Sequence, residues 1–365
     1  MPSLSLSVSI FTAIREPHRP SEYAKKTADC KAVRRAPVEE NVDIQLKYVD
    51  VNPQASTTIV MVHGWPGLWS IWSNQIQEFK DDYHLIVPEL RGYGESAHPG
   101  DTRSSGTMQD MVSDLVCVLK DAKVESAVCM GHDWGSAICY EAARSRPDVF
   151  TAVVGAVVPY FPASGPYVPM KSLVESIPSL GYQIFFDSQP EIAVAELDKD
   201  IRRTVRATLR TVDSPAPDDF LKSDKSFLAA WDGFDEVPPA PFFTAEEEDY
   251  FVEQYSIQGY KHTIQFYFDE NQYLSWKHVH SQENYTIPQP VLAIYPTADP
   301  VADFAEMANL MKSADYLPNL TIEILHGSHW IQLENPREFN EAVRRWLKGL
   351  LPDGEKENQA GHDEL

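Results

Sequence analysis

Short apolar runs alternate with amphipathic segments along the first part of the chain. Apolar and β-branched residues dominate TTIVMV (57–62), HLIVPEL (84–90) and SAVCM (126–130). Such runs are typical of strands buried on both faces of a parallel sheet. The earlier segment VDIQLKYVDV (42–51) alternates apolar with polar residues, and this alternation predicts a half-buried strand.

Helical patterns lie between these predicted strands. In TMQDMVSDLVCVLKDAK (107–123) apolar residues recur at steps of about three and four, and GSAICYEAARS (135–145) is rich in small and helix-forming residues. Another apolar run, TAVVGAVV (151–158), follows. Because alternating strands and helices favour right-handed βαβ units, we predict an α/β fold with a mostly parallel central sheet flanked by helices.

The strand pattern is interrupted in the middle of the chain. The sequence there becomes helical, aromatic and charged, and the runs VLAIYP (291–296) and LTIEIL (320–325) then restore the pattern. The simplest interpretation is a sheet domain with an inserted helical cap. The predicted division is an N-terminal leader (1–40), a core (41–162 and 286–352), a helical cap (163–285) and a polar C-terminal tail (353–365).

Composition and charge exclude several function classes. The chain of 365 residues is 43% hydrophobic and 23% charged, as is usual for a globular protein. It has no uninterrupted apolar stretch of about 18 residues, the length that a membrane span needs. The net charge of −23 argues against nucleic acid and anionic membranes as partners. Nothing in the sequence indicates an oligomeric state.

The sequence also lacks the usual signs of a metal or cofactor site. Cys30, Cys117, Cys129 and Cys139 are too few and too scattered to indicate a disulfide framework or a zinc site. We therefore expect buried, unreactive thiols. Because neither a Gly-rich phosphate loop nor a dinucleotide fingerprint is present, we expect no metal and no bound cofactor.

The two ends of the chain point to different compartments. The last four residues, HDEL, match a signal for retention in the endoplasmic reticulum, which its receptor reads only in the lumen. The first residues, MPSLSLSVSIFTAIREP, lack a basic region, and serines interrupt their apolar residues, so they make a poor signal peptide. We expect a cytoplasmic protein, with the endoplasmic reticulum as the alternative.

The first candidate for chemistry is the pentapeptide Gly-His-Asp-Trp-Gly (131–135). Its Gly-x-Asp-x-Gly pattern occurs by chance in roughly one chain in ten of this length. Here, however, it follows a predicted strand and opens a predicted helix. A sharp turn would lift Asp133 above the sheet edge, where the helix N-terminus favours an anion. We therefore predict that Asp133 is a nucleophile.

Other motifs predict the groups that would assist Asp133. The turn HGWPG (63–67) follows an earlier predicted strand, so the backbone N–H groups of Trp65 and Trp134 would form an oxyanion hole. The neighbouring His63 and His132 are expected to be structural.

Two later residues complete a triad in the chain order nucleophile, acid, histidine. Asp299 follows a late predicted strand in TADP, and His329 follows the last one in GSHWIQLENP. His326 is the rival histidine. We favour His329 because the residues around it form a family pattern.

That family is indicated by five segments. HGWPG, RGYGES, GHDWGS, TADP and GSHWIQLENP, in this order, resemble the soluble epoxide hydrolases of the α/β-hydrolase superfamily. The resemblance extends from about residue 40 to about residue 350. Glu89 stands where the family usually has aspartate, which puts local hydrogen bonding in doubt. On this resemblance, the leader is also too short for the additional phosphatase-like domain of the mammalian relatives.

The resemblance implies a pair of ring-opening tyrosines in the cap. GYQIFFDSQPEIAVAELD and IQFYFDENQYLSW are similar to the two segments that present this pair, which would make Tyr182 and Tyr267 the proton donors. Tyr255 and Tyr273 are the nearby alternatives among the 16 tyrosines of the chain.

A carboxylate nucleophile suits a saturated carbon that bears a leaving group. Its attack gives an alkyl-enzyme ester, which His329, oriented by Asp299, would hydrolyse through an activated water. An epoxide oxygen leaves as a basic alkoxide that needs a proton, and tyrosine, with a pKa of about 10, can supply it.

We therefore expect a cofactor-independent epoxide hydrolase that converts small apolar epoxides to diols. The alternatives are a haloalkane or haloacid dehalogenase, whose halide needs only N–H donors, and a non-catalytic ligand receptor on the same fold. The expected substrate-binding residues are mostly aromatic: Trp65, Trp134, Phe161, Gln183, Phe185 and Phe266.

Overall fold

The computed structural model describes residues 19–350 and contains a central eight-stranded sheet. Its order is β1-β2-β4-β3-β5-β6-β7-β8. The strands are β1 (Lys25–Arg34), β2 (Glu40–Val51), β3 (Thr58–Val62), β4 (His84–Pro88), β5 (Ala127–His132), β6 (Phe150–Ala156), β7 (Val291–Pro296) and β8 (Leu320–Leu325). The pairs β1–β2 and β2–β4 are antiparallel and the remaining pairs are parallel, so the predicted fold class is confirmed.

Helices flank the sheet and fill the inserted segment. The α-helices are α1 (Ser73–Phe79), α2 (Met108–Asp121), α3 (Trp134–Ser145), α4 (Gly181–Ser188), α5 (Pro190–Lys199), α6 (Ile201–Thr208), α7 (Ala245–Gln258), α8 (Asp269–Gln282), α9 (Phe304–Leu310), α10 (Ile331–Glu334) and α11 (Pro336–Leu350). Short 3-10 helices lie at Pro20–Glu22, Trp69–Trp72, Met170–Ser172, Pro178–Leu180, Ala229–Trp231, Thr263–Tyr267 and Ser313–Tyr316. Within residues 19–350, no helix is long and apolar enough to cross a membrane.

The sequence explains where α2 begins. α2 starts at a capping box, in which the side chains of Thr107 and Asp110 each accept the other residue's backbone N–H; this arrangement satisfies two donors that the first helical turn leaves unpaired. α2 packs on β1 and β2, and α3 packs on β5 and β6. The core therefore lies between the sheet and its flanking helices.

The inserted segment 163–285 is helical throughout its regular structure. It holds α4 to α8 and four of the 3-10 helices, and it contributes no strand to the sheet. It contacts the core at the turn after β3, where the Tyr255 hydroxyl donates to the Pro66 carbonyl at 2.9 Å. The division into core and cap stays a prediction, which this distribution of elements supports.

One strand lies in a region for which the sequence predicted only a leader. β1 falls within residues 1–40 and pairs with β2 at the sheet edge, so this part of the leader prediction is wrong. Ala28, Cys30 and Ala32 alternate with polar residues and are buried. Because these residues are small and alanine is uncommon in strands, the pattern gave a weak signal. The first 18 residues, the tail 353–365 and the terminal HDEL lie outside the described residues.

The cysteines form two disulfides rather than the expected free thiols. Cys30 is bonded to Cys117, which joins β1 to α2, and Cys129 is bonded to Cys139, which joins β5 to α3. The partners are 87 and 10 residues apart. Sequence spacing did not reveal them because each pair depends on the packing of a helix against a strand.

A buried ion pair connects the loop after β4 to α2 and to the inserted segment. Arg91 donates from Nε and Nη2 to the two carboxylate oxygens of Asp114, at 2.6 Å each. The Arg91 carbonyl accepts from Gln265 Nε2 at 3.0 Å, and Gln265 lies in the 3-10 helix Thr263–Tyr267. The pair therefore helps to position this 3-10 helix over the sheet.

The two disulfides should contribute unequally to stability. Replacing Cys30 and Cys117 together with alanine should lower the free energy of unfolding by about 4 kcal/mol, and replacing Cys129 and Cys139 by about 3 kcal/mol, because the first bond closes the longer loop in the unfolded chain. Urea denaturation followed by circular dichroism measures both losses. The oxidised parent, denatured without reductant, should expose no reactive thiol at these cysteines; labelling of all of them would contradict the pairing.

Candidate active site

Asp133 occupies a strained turn between β5 and α3. Its φ of +57° and ψ of −124° fall in a sparsely populated region for a residue with a side chain. The flanking glycines make the turn possible, because a Cβ on Gly131 would lie 2.1 Å from the Gly135 carbonyl oxygen, and one on Gly135 would lie 2.1 Å from that of Val62. The pentapeptide therefore has glycine at both ends because the backbones of β3, β5 and α3 approach closely here.

The Asp133 carboxylate is held by backbone donors. The Trp65 N–H donates to Oδ1 at 2.8 Å, and the Trp134 N–H at the start of α3 also donates to the carboxylate. Burial raises the pKa of Asp133 above its ordinary value, although His329 and the two N–H donors act in the opposite direction. The structure thus brings both predicted oxyanion-hole residues to the predicted nucleophile.

His329 lies between two carboxylates. Its Nδ1 is 2.7 Å from Asp299 Oδ2, and its Nε2 is 3.7 Å from Asp133 Oδ2. The other Asp299 oxygen accepts the Val301 N–H at 2.8 Å. Burial acts to lower the pKa of His329, but Asp299 and Asp133 more than offset it, so the pKa is raised. The contact with Asp299 orients the imidazole with Nε2 facing the nucleophile.

The other predicted histidines have different surroundings. His326 is exposed, and its Nδ1 lies 3.2 Å from Thr297 Oγ1, so the structure does not bring it to Asp133. His132 is buried with Nε2 at 2.8 Å from the His329 carbonyl. His63 Nε2 accepts a backbone N–H from the loop after β4 at 3.1 Å. These contacts agree with structural roles for His132 and His63.

The two cap tyrosines lie together beside Trp65, whose backbone N–H holds the Asp133 carboxylate. Tyr182 on α4 and Tyr267 at the end of the 3-10 helix Thr263–Tyr267 are both buried, with ring centroids 5.4 Å apart. Burial raises the pKa of each phenol most, and the negative charge of Asp133 raises both further. Both hydroxyls are therefore close enough to the carboxylate to sense its charge, and both remain protonated at neutral pH.

The alternative tyrosines are placed elsewhere. Tyr273 is 40% exposed, and the hydroxyl of the buried Tyr255 is engaged by the Pro66 carbonyl.

Aromatic side chains surround the carboxylate. The Trp65 indole N–H donates to Thr263 Oγ1 at 3.2 Å, which links the turn after β3 to the inserted segment. Trp134 stacks on Phe266 with centroids 5.3 Å apart. The Trp65 ring contacts five aromatic rings, with centroid distances from 5.2 to 6.5 Å: Tyr182, Phe186, Phe227, Tyr260 and Tyr267.

The remaining predicted pocket residues divide into two groups. Gln183 Nε2 donates to the Tyr182 hydroxyl at 3.2 Å, and Phe185 is fully buried. Phe161 is 40% exposed and, among the described residues, takes part in none of the ring contacts of this cluster. It was predicted as one of the aromatic residues of the site, and the proline-rich segment after β6 has no periodicity to show which way its side chain faces.

Sequence reasoning missed Phe186 and Phe227. Both rings contact Trp65 and Tyr182. Phe186 lies four residues after Tyr182 on α4, and this spacing places the two on one helix face, so it could have been found. Phe227 lies outside the regular helices, and no local pattern identifies it.

The departure from the family pattern, Glu89, is accommodated locally. Its Oε1 accepts the Trp69 N–H at 3.1 Å, and its Oε2 lies 3.6 Å from Lys25 Nζ. Burial acts to raise the pKa of Glu89, but His63 and Lys25 lower it overall. The longer side chain therefore has a stabilising contact at each oxygen. In residues 19–350 no group of three or more His, Cys, Asp or Glu side chains is arranged to hold a metal ion.

Comparison with known proteins shows which proteins this chain is similar to. A family model described as the alpha/beta hydrolase fold matches residues 57–336. Epoxide hydrolase A of Mycobacterium tuberculosis is 29% identical over 328 residues, which cover 86% of this chain and 98% of that protein. The rat bifunctional epoxide hydrolase 2 is 28% identical over 309 residues, 84% of this chain and 54% of its own length.

Solved structures of epoxide hydrolases are also similar to this chain. The crystal structure of epoxide hydrolase A from Mycobacterium thermoresistibile has a TM-score of 0.70 at 26% identity, covering 88% of this chain and 99% of that one. An epoxide hydrolase from an endophytic Streptomyces has a TM-score of 0.72 at 26% identity, covering 88% and 96%. The resemblance drawn from the five sequence segments is confirmed.

The approach of Gly64 to the nucleophile gives a test of the site. A Cβ on Gly64 would lie 2.3 Å from Asp133 Oδ1, so Gly64→Ala should push the carboxylate away from the Trp65 N–H. Turnover of an aryl epoxide should fall about 100-fold or more, since a displacement of about 1 Å can cost this much. Gly165→Ala is the control, because nothing lies within 4 Å of a Cβ there. Parent-like activity in Gly64→Ala would argue against Asp133.

Proposed function

Because the chain belongs to the α/β-hydrolase fold family, whose model matches residues 57–336, we propose that it is an epoxide hydrolase that converts apolar epoxides to vicinal diols. One observation carries the proposal: Trp65 holds the buried Asp133 carboxylate with its backbone N–H at 2.8 Å, and its indole contacts the rings of the two buried phenols, Tyr182 and Tyr267. The names of the relatives at up to 29% identity support the same activity.

In the first half-reaction the Asp133 carboxylate attacks a saturated ring carbon. The carbon–oxygen bond of the ring breaks as the ester bond to Asp133 forms, and a proton from Tyr182 or Tyr267 neutralises the departing oxygen. The raised pKa of each phenol supports this role, because a donor must hold its proton until the ring opens. The product of this step is a hydroxyalkyl ester of the enzyme.

In the second half-reaction His329 activates a water molecule. The distance of 3.7 Å between His329 Nε2 and Asp133 Oδ2 is too long for a direct hydrogen bond, so Nε2 is available to accept a proton from water. The hydroxide attacks the ester carbonyl, and the Trp65 and Trp134 N–H groups donate to the resulting oxyanion. Collapse breaks the ester bond, the proton of the new carboxyl group passes to the diol oxygen as the diol leaves, and the Asp133 carboxylate returns with one oxygen from water. The proton held by His329 then returns to the tyrosinate, which restores both side chains.

The surroundings of the site favour an apolar substrate. Phe186, Phe227 and the two tryptophans supply aromatic surface next to the nucleophile, and Gln183 supplies a polar group beside Tyr182. Sites of this composition bind apolar ligands and orient them with a few polar contacts.

The tyrosine pair also distinguishes the proposal from its alternatives. A halide leaves as a stable anion and needs no proton, so a dehalogenase gives no reason for two buried phenols above the carboxylate. A ligand receptor gives no reason for the contact between His329 and Asp299 at 2.7 Å. Epoxide hydrolysis gives a role to all five side chains of the proposed site: Asp133, Asp299, His329, Tyr182 and Tyr267.

The two disulfides bear on the compartment. Disulfides persist in oxidising compartments and are rare in the cytosol. Of the two compartments considered from the sequence, the lumen of the endoplasmic reticulum therefore fits the bonded cysteines better than the cytoplasm does. The thiol labelling described above, applied to protein taken directly from its cell, distinguishes them, because fully labelled cysteines would support the cytoplasm.

Removing the imidazole should trap the covalent intermediate. His329→Gln should form the ester on Asp133 but fail to hydrolyse it, because no base activates water. Intact-mass spectrometry should show an adduct of the epoxide's mass, and peptide mapping should locate it on Asp133. His326→Gln is the matched control and should turn over normally without an adduct. An active parent combined with an adduct-free His329→Gln would contradict the covalent mechanism.

Loss of the phenols should slow ring opening. Tyr182→Phe and Tyr267→Phe should each lower the rate of ester formation, and the double variant should lose about 100-fold to 10,000-fold, the usual contribution of a general acid. Tyr273→Phe, at an exposed position, should behave as the parent. Single-turnover kinetics measure the step. If the parent released halide from haloalkanes but formed no diol from epoxides, the chain would be a dehalogenase.

A further inference from the structure

A single carboxylate connects the loop that carries His329 to the inserted segment. Ser328, the residue before His329, donates its N–H to Glu334 Oε2 at 2.6 Å. The other oxygen, Oε1, accepts the N–H of Val212 at 2.8 Å. Glu334 ends α10, whose short length brings its side chain back over the loop. Both oxygens are therefore used, one on each side of the boundary between core and cap.

A second contact runs parallel to this bridge. Trp330, the residue after His329, donates its indole N–H to the Thr208 carbonyl at 3.3 Å. Thr208 is the last residue of α6, and Val212 lies four residues beyond it. The neighbours of His329 on both sides are thus tied to one short stretch of the cap.

The other contacts of His329 hold it to the core. Its Nδ1 meets Asp299, and its carbonyl lies 2.8 Å from His132 Nε2. Beside the bridge runs an open groove of about 450 Å³, whose walls include Val212, His326 and Glu334. The groove leaves this side of the boundary open, and the two directed hydrogen bonds of Glu334 join loop and cap across it.

We propose that Glu334 is a positioning residue that couples the position of the cap to that of the His329 imidazole. The inference rests on the proposed function, in which the cap tyrosines serve ester formation and His329 serves ester hydrolysis. Through Glu334, the position of the cap also sets the backbone next to the hydrolytic base. Ester hydrolysis should therefore depend on Glu334 more than ester formation does.

The test separates the two half-reactions. Glu334→Gln keeps the side-chain volume but leaves one acceptor oxygen, so one of the two N–H groups loses its acceptor and faces an amide donor. In rapid-quench single turnovers of an aryl epoxide, ester hydrolysis should fall about 10-fold or more, as expected for a displaced base. Ester formation should stay at the parent rate, so the ester accumulates. Glu341→Gln, whose side chain is 66% exposed, is the control and should match the parent.

Hydrogen exchange gives a readout that does not depend on activity. In Glu334→Gln one of the two peptides spanning 326–330 and 209–214 should exchange faster, and in Glu334→Ala both should, because glutamine keeps one acceptor oxygen and alanine keeps none. Unchanged hydrolysis, or a parallel loss of both half-reactions with a lowered melting temperature, would overturn the inference. If the parent itself formed no ester on Asp133 with epoxides that it hydrolyses, the proposed mechanism would fail instead, whatever Glu334 does.

Discussion

The structure depends on keeping a carboxylate ionised in a site from which water is largely removed. Burial alone would shift Asp133 toward its neutral form, and an unpaired buried charge is costly. His329 and the Trp65 and Trp134 N–H groups offset part of this cost. The N–H groups can approach the carboxylate because the backbones of β3, β5 and α3 come very close at glycines. One electrostatic arrangement therefore includes the parallel strands, the turn after β3 and the strained turn at Asp133.

Trp65 extends that arrangement into the cap. Its backbone N–H holds the nucleophile, while its indole N–H holds Thr263, the first residue of the 3-10 helix that ends at Tyr267. The same 3-10 helix is anchored to the core through Gln265 and the carbonyl of Arg91. Asp133 and Tyr267 are thus linked through short, directed contacts. Such pre-organisation reduces the reorganisation that the reaction requires.

The sequence predicted what local patterns encode. The parallel strands are continuous apolar runs, so the fold followed from the sequence, and Asp133 and Asp299 follow two of these strands. His329 was preferred to His326 through the family pattern around it. β1 was missed because its buried residues are as small as Ala28. The disulfides and the contribution of Phe227 depend on which distant segments pack together, which neither spacing nor periodicity records. Tyr182 and Tyr267 were found through family resemblance; their composition and spacing alone left Tyr255 and Tyr273 open.

Burial affects the acid and the nucleophile in the same direction, yet the reaction needs opposite protonation states. Removing water raises the pKa of Tyr182, Tyr267 and Asp133 alike. For the phenols this is an advantage, because they must stay protonated until an alkoxide appears; for the carboxylate it is a penalty. His329 and the backbone donors at Asp133 reduce this penalty, and the negative charge of Asp133 raises the phenol pKa values further. In the proposed mechanism Asp133 becomes a neutral ester, that influence on the phenols disappears, and the same N–H groups are free to receive the oxyanion. One set of backbone donors can therefore serve both half-reactions without any rearrangement of the fold.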